Sequence, residues 1–178
     1  MRLLYRLLVV GLAGVVVVLM CVTPSSGVSP GPARAADEPP TLEEDYAYPG
    51  ADKIFADYGV KLISGDGHIL FADCATPPTG PIGFIQVSSP GIGIGGKGLI
   101  CFRVTAPTGR LAVKIPAVFE IRGDGREAGK GHKLRAELTT DDGQHTTVDV
   151  DPSGSTQVGT GSNPSNPPTT LLELNASS

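Results

Sequence analysis

The sequence predicts a mainly β protein: an antiparallel β-sandwich of about eight or nine strands with one short N-terminal helix. Three observations favour this fold class. The 178-residue chain contains 24 Gly and 16 Pro but no Trp, a composition that suits many turns better than long helices. From residue 60 onward, apolar residues recur with a period of two, which is typical of strands with one buried face. Clusters of Gly, Pro, Asn, Asp and Ser separate these short apolar runs and favour turns.

The first 35 residues have the pattern of an export signal. Arg2 and Arg6 form a basic start, residues 7–22 are apolar, and small residues allow cleavage after Ala35. Cleavage after Gly27, or no cleavage at all, is the alternative. An uncleaved anchor is disfavoured because the apolar run is shorter than the ~20 residues that span a bilayer. We therefore expect a secreted, extracellular protein that attaches to a membrane only if the signal is uncleaved.

The charge of the exported chain excludes some partners. Removing residues 1–35 takes away three arginines and no acidic residue, which leaves 11 Lys and Arg against 18 Asp and Glu, a net charge of −7. Five of those acids and two prolines lie in residues 36–45, which predicts an acidic disordered leader. Such a balance disfavours nucleic acid and anionic lipid as partners. Residues 46–178 are left as a single β-sandwich domain, and the cell wall is one candidate location for it.

Two cysteines remain after cleavage, Cys74 and Cys101. Outside the cytoplasm an isolated pair is more often bridged than free, so the sequence predicts a Cys74–Cys101 disulfide. Closing a loop of that length should stabilise the fold by about 3–4 kcal/mol. A redox role is disfavoured because the spacing is not Cys-x-x-Cys.

The first element predicted is one short amphipathic helix. Pro49 precedes it and Gly59 follows it, as expected of helix start and stop signals. Its apolar residues recur at i, i+3, i+4 and i+7: Ala51, Ile54, Phe55 and Tyr58.

Six strands are predicted next. The first two flank a Ser-Gly-Asp-Gly turn at residues 64–67. Pro116 lacks an N–H donor and should mark an edge or a bend. The predicted strands are residues 60–63, 68–72, 82–88, 99–105, 110–116 and 117–122.

A β-hairpin is predicted from residues 132–140 and 144–151. A two-residue loop would place Val148 opposite Glu137 and turn apolar side chains to both faces. A three-residue loop with Gly143 in the left-handed region pairs Ala136 with Val148 and puts all the apolar side chains on one face. The three-residue loop is therefore the prediction, and it also pairs Leu134 with Val150.

The remainder of the chain predicts a loop and a last strand. Residues 152–169 are rich in Gly, Ser, Asn and Pro, which favours a long surface loop. Residues 170–175 return to an apolar pattern and should form the final strand.

Two ligand motifs fail on context. The glycine-rich residues 91–97 resemble a phosphate-binding loop, but a strand rather than a helix should follow them. Residues 149–154 begin like a calcium loop, but Thr160 occupies the position of the bidentate acid. The hairpin register also separates His132 and His145 by roughly 20 Å. No cofactor and no metal site are therefore predicted.

No catalytic residue is predicted either. The chain lacks a Gly-x-Ser-x-Gly elbow, and Glu120 alternates with apolar neighbours as an exposed strand residue does. Because glycine-held turns at the ends of a sandwich often carry function, the candidate binding residues are those of the loops. They are Asp66, Arg122, Asp124 and His132.

Four segments resemble a group of small secreted proteins of actinobacteria such as Streptomyces, for which no activity is known. The segments are residues 48–54, 65–70, 118–125 and 155–161, and the resemblance covers most of residues 46–174. It implies a Gram-positive host and a location at or beyond the cell wall. It assigns no functional residue.

The sequence leaves three functions open. We favour a non-catalytic binding or interaction domain at the cell envelope, because no catalytic set is assembled in the sequence. Its partner would be a cell-wall component or another exported protein. A small secreted hydrolase is the first alternative and would need two carboxylates or a His–acid pair in one cleft. An extracellular protease inhibitor is the second, with the proline-rich residues 75–81 as its only candidate loop.

Overall fold

The computed structural model describes residues 46–178, and they form two antiparallel five-stranded sheets preceded by one helix. This confirms the predicted fold class. The predicted signal peptide and acidic leader lie outside the described residues and stay predictions. In chain order the elements are α1 (Ala51–Tyr58), β1 (Lys61–Gly65), β2 (Ile69–Ala72), β3 (Ile85–Ser88), β4 (Leu99–Val104), β5 (Gly109–Val118), β6 (Glu120–Arg122), β7 (Lys133–Thr140), β8 (His145–Val150), β9 (Ser155–Gln157) and β10 (Thr169–Ser177).

The two sheets bury one common core. The first sheet has the strand order β1-β5-β10-β7-β8 and the second has the order β2-β4-β3-β6-β9. Alternate residues of both sheets face inward and join a single hydrophobic cluster, whose largest members include Phe102, Ile85, Leu111 and Leu174. Burial of these side chains is the main stabilising contribution to the fold. No helix within residues 46–178 is long and apolar enough to cross a membrane.

The helix α1 lies where it was predicted. Gly59 ends it with φ +72°, and the Gly59 N–H donates to the Phe55 carbonyl at 2.9 Å. Ile54 and Tyr58 pack against the core, but Phe55 is 56% exposed. Only one side of the helix contacts the domain, so the apolar face is narrower than its spacing suggested.

The first two strands do not pair with each other. β1 pairs with β5 in the first sheet, and β2 pairs with β4 in the second. The turn between them therefore carries the chain from one sheet to the other instead of closing a hairpin. Asp66 fixes this crossing, because its carboxylate accepts from the main-chain N–H of His68 at 3.0 Å and of Arg110 at 2.9 Å.

Pro116 lies at a bulge of β5, which agrees with the predicted bend and not with an edge, since β5 lies between β1 and β10. Opposite β10, Thr169 pairs with Val118 and Leu171 with Ile115, so β5 contains one extra residue at this point. Ala117 has φ +50° within the bulge. After Val118 the chain leaves the first sheet and enters β6 of the second. The predicted division near residues 116 and 117 thus corresponds to a change of sheet.

The hairpin β7–β8 has the predicted register. Ala136 pairs with Val148 and Leu134 with Val150. The Thr140 N–H donates to the Gln144 carbonyl at 3.0 Å across the three-residue loop, and Gly143 has φ +84°.

The segment predicted as one long loop contains β9, a strand that the sequence did not predict. Within residues 152–169, β9 pairs with β6 at the edge of the second sheet. Its sequence, Ser-Thr-Gln, is short and wholly polar, so it carries no apolar alternation to detect. The last strand, β10, extends from Thr169 to Ser177 and lies in the centre of the first sheet between β5 and β7.

Candidate functional site

A proline-rich segment crosses the outer face of the second sheet. Residues 75–81, here called the strap, follow Cys74, which forms the predicted disulfide with Cys101 at a Cα–Cα distance of 5.4 Å. Cys101 lies on β4 between the core residues Ile100 and Phe102, so its side chain points to the outer face. It is nevertheless fully buried, and its sulfur is bonded to that of Cys74.

The other end of the strap is held by Arg126. Its main-chain N–H donates to the Pro81 carbonyl at 2.8 Å, and its guanidinium donates to the Pro78 carbonyl at 2.9 Å. The Gly83 N–H donates to the Asp124 carbonyl at 2.6 Å immediately after the strap. The strap is therefore fixed at both ends. Its start is not extended, since the Ala75 N–H donates to the Asp73 carboxylate in a turn.

A cleft of about 350 Å³ lies beside the strap on this face of the sheet. We call it the strap cleft. Gln86 of β3 and Arg122 of β6 are paired in register and form its polar floor. Its other principal lining residues are Pro77 of the strap, Phe84, Asp124 and Arg126.

The strap cleft contains two arginines without an acidic partner. Within residues 46–178, neither Arg122 nor Arg126 has a carboxylate within ion-pair distance. Glu120, on the same face of β6, instead accepts from Ser155 at 3.2 Å and from Gln157 at 2.5 Å. The cleft therefore presents positive charge and amide donors to solvent.

Asp124 and His132 form a buried pair. One Asp124 oxygen accepts from the His132 main-chain N–H at 2.8 Å, and the other lies 2.6 Å from the ring Nδ1. The Asp124 side chain is fully buried, and within residues 46–178 its ion pair is with His132 and not with the arginines of the cleft. The pair joins the two ends of the segment between β6 and β7.

Asp66 lies apart from the other predicted residues. It follows β1, which is separated from β7 by β5 and β10, a distance of three strand spacings or roughly 14 Å. Both of its oxygens accept main-chain hydrogen bonds. Of the four predicted binding residues, the structure thus brings Arg122, Asp124 and His132 together and leaves Asp66 at a separate turn.

Sequence reasoning missed Gln86 and Arg126. Gln86 lies in a predicted strand, and no local pattern indicates that it borders a cleft. Arg126 could have been found, because Arg122 and Arg126 bracket two glycines in Arg-Gly-Asp-Gly-Arg. This spacing places two positive charges on either side of one short glycine turn.

The motifs that failed on context have structural roles. The glycine-rich residues 91–97 contain a short 3₁₀ turn, Ile94–Gly96, and lead into β4 rather than a helix. Asp151 accepts from the Ser153 N–H at 3.0 Å and ends β8 with a turn.

A second hollow of about 590 Å³ lies on the first sheet, and Lys133, Arg135, Glu137 and Asp149 line it with two positive and two negative charges. Arg135 lies 3.3 Å from Asp149 across β7 and β8. Beside it, Arg110 donates to Glu173 at 2.5 Å, and the hydrogen bond from Arg110 lowers the pKa of Glu173. The charges that line this hollow therefore balance in sign, whereas the exposed charged side chains of the strap cleft are the two arginines.

No protein-family model matches the chain, and no curated protein matches it significantly in sequence. The strap cleft and the loops around it are therefore the features from which we infer a function.

Proposed function

We propose that this protein is an exported, non-catalytic binding domain of the cell envelope and that the strap cleft is its binding site. The observation that carries the proposal is the strap, which is tied by a disulfide at one end and by Arg126 at the other. A cleft whose wall is held in this way loses little conformational entropy when a ligand binds. The disulfide is compatible with an extracellular location.

The loop residues that could perform catalysis serve structural roles instead. Asp66 accepts two main-chain hydrogen bonds, and Asp124 and His132 bind each other. These bonds fix the loops around the sheets and leave Arg122 and Arg126 as the exposed polar groups of the cleft. Such a division favours recognition over bond cleavage.

The test is co-sedimentation with insoluble Gram-positive cell wall. The protein is produced from the full-length gene in an exporting host, purified in its oxidised form and mixed with increasing amounts of wall. We expect saturable pelleting above that of an inert acidic control protein. Pelleting no greater than that of the control would reject binding to the wall.

A secreted hydrolase is the second candidate, because Asp124 orients His132 as an acid orients a catalytic histidine. A hydrolase would also need a nucleophile or an activated water at Nε2. Within residues 46–178, no hydroxyl or thiol is hydrogen-bonded to the His132 ring. Release of soluble fragments from wall by the wild type, and its loss in His132→Gln, would favour this candidate over the binding domain.

A further inference from the structure

We propose that the strap cleft binds an oxyanion group, either a carboxylate or a phosphate ester, through Arg122, Arg126 and Gln86. This inference rests on the proposed binding function and names the chemistry of its ligand. The three side chains line one cleft, and each offers N–H donors.

The strap cleft exposes two arginines, although the domain as a whole is net acidic. Residues 46–178 contain 11 Lys and Arg and 13 Asp and Glu, so the domain is net acidic. It nevertheless places two arginines without acidic partners in one small cleft. Like charges in one site oppose each other, and an anion between them would remove that repulsion.

The carboxylates near the strap cleft already accept hydrogen bonds from other residues. Asp124 is the acidic residue that lines the cleft, and both of its oxygens bind His132. Glu120 binds Ser155 and Gln157 of β9. Neither can turn to the arginines without breaking these bonds, so both exposed guanidinium groups stay available to an anionic ligand.

The geometry of the N–H donors in the strap cleft also suits an oxyanion. A guanidinium presents its N–H groups as a planar fork that matches carboxylate and phosphate oxygens. Arg126 uses part of its fork on Pro78 and keeps its other donors, whereas Arg122 makes no side-chain hydrogen bond among the described residues. Gln86 lies directly opposite Arg122, at a Cβ separation of about 5 Å expected for such pairs.

The size of the cleft limits the ligand. A volume of about 350 Å³ is near the lower end for small-molecule sites. It accommodates one charged end group with a short attachment. The ligand is therefore a terminal or side-chain group of a larger molecule, or a small free anion.

The experiment is a titration of the full-length, oxidised, ¹⁵N-labelled protein followed by nuclear magnetic resonance. The probes are acetyl-alanyl-alanine, the same peptide with an amidated C-terminus, and glycerol phosphate. We expect saturable shifts of the Arg122 and Arg126 side-chain N–H signals with the free carboxylate, with the phosphate ester, or with both. The ratio of the two affinities identifies the source of the anion, and the amidated peptide should cause no such shift.

The matched variants are Arg122→Gln and Arg135→Gln. Arg122→Gln removes only the charge in the cleft and should weaken binding about tenfold or more. Arg135→Gln removes an exposed charge on the first sheet and should leave the affinity unchanged. No saturable shift with either anion up to about 10 mM, or equal affinity for the amidated peptide, would overturn the inference.

The two proposals fail in different ways. If the wild type and Arg122→Gln pellet equally with wall and no probe anion shifts the Arg122 signal, wall binding stands and the anion site is wrong. If the wild type does not pellet but binds a probe anion through Arg122, the anion site stands and the partner lies elsewhere.

Discussion

Among residues 46–178, Asp124 is the only charged residue that is buried. A carboxylate removed from water is tolerated only when hydrogen bonds replace its hydration. Both oxygens of Asp124 have such partners, and both partners belong to His132. The pair therefore closes the segment of chain that carries Arg126 toward the strap.

Replacing Asp124 should destabilise the protein. We expect Asp124→Ala to lower the free energy of unfolding by about 2–4 kcal/mol, because the His132 N–H groups lose their acceptor in a buried site. Urea denaturation measures the change. The control is Asp149→Ala, whose side chain is 84% exposed and whose ion pair should contribute less than about 1 kcal/mol. Equal urea midpoints for the two variants would contradict this role.

At the scale of elements, the β7–β8 hairpin depends on one glycine. Gly143 has φ +84°, and a side chain added there would contact nothing within 4 Å. The cost of a Gly143→Ala substitution is therefore purely conformational, and we expect about 1–2 kcal/mol. Thermal unfolding measures it, with Asp141→Ala in the same loop as the control. A loss no larger than that of Asp141→Ala would argue against the left-handed turn.

The ion pair between Arg110 of β5 and Glu173 of β10 should make the free energy of unfolding depend on pH. The pKa of Glu173 is lowered, first by the hydrogen bond from Arg110 and then by that from Asn175. Its contribution is complete above the pKa of an unfolded glutamate, about 4.3, and is lost as the pH falls through the lower pKa of the folded protein.

We therefore expect Glu173→Gln to lose less stability than the wild type when the pH falls from about 5 to about 3. Urea midpoints across this range provide the measurement. Arg110→Gln removes the main cause of the low pKa and should shift the acid limb in the same direction. Parallel curves for all three proteins would show that this pair does not set the acid sensitivity.

Local patterns predicted some elements and could not predict others. The β7–β8 register followed from Val148 and Val150, because a hairpin is decided by residues close in sequence. The partners of β1 and β2 could not be predicted, since the turn at Asp66 suits a hairpin as well as a crossing between sheets. The strap cleft depends on contacts between distant segments, such as Arg126 with Pro78, which the sequence does not encode locally.

At the scale of the whole molecule, the disulfide joins the start of the strap to an inner strand of the second sheet. Cys74 and Cys101 are 27 residues apart, and β4 lies between β2 and β3. The bond restricts the unfolded chain and also fixes one end of the strap. Stability and the shape of the cleft should therefore change together on reduction.

The double substitution Cys74→Ala with Cys101→Ala should lower the free energy of unfolding by about 3–4 kcal/mol. Calorimetry with and without dithiothreitol measures the loss. The reductant should lower the midpoint of the wild type and leave that of the double variant unchanged. A wild-type midpoint that is insensitive to complete reduction, verified by thiol titration, would contradict the stabilising role.

The central position of β10 constrains the order of synthesis and folding. β5 and β7 cannot join into one sheet until residues 169–177 are inserted between them. A nascent chain that is still leaving a ribosome or a translocation channel has not released this strand, so the first sheet stays incomplete while the earlier residues emerge. Such a delay would suit the export that we propose, because vectorial transport requires an unfolded polypeptide. It also means that any truncation before residue 169 removes the strand that unites the two halves of the sheet.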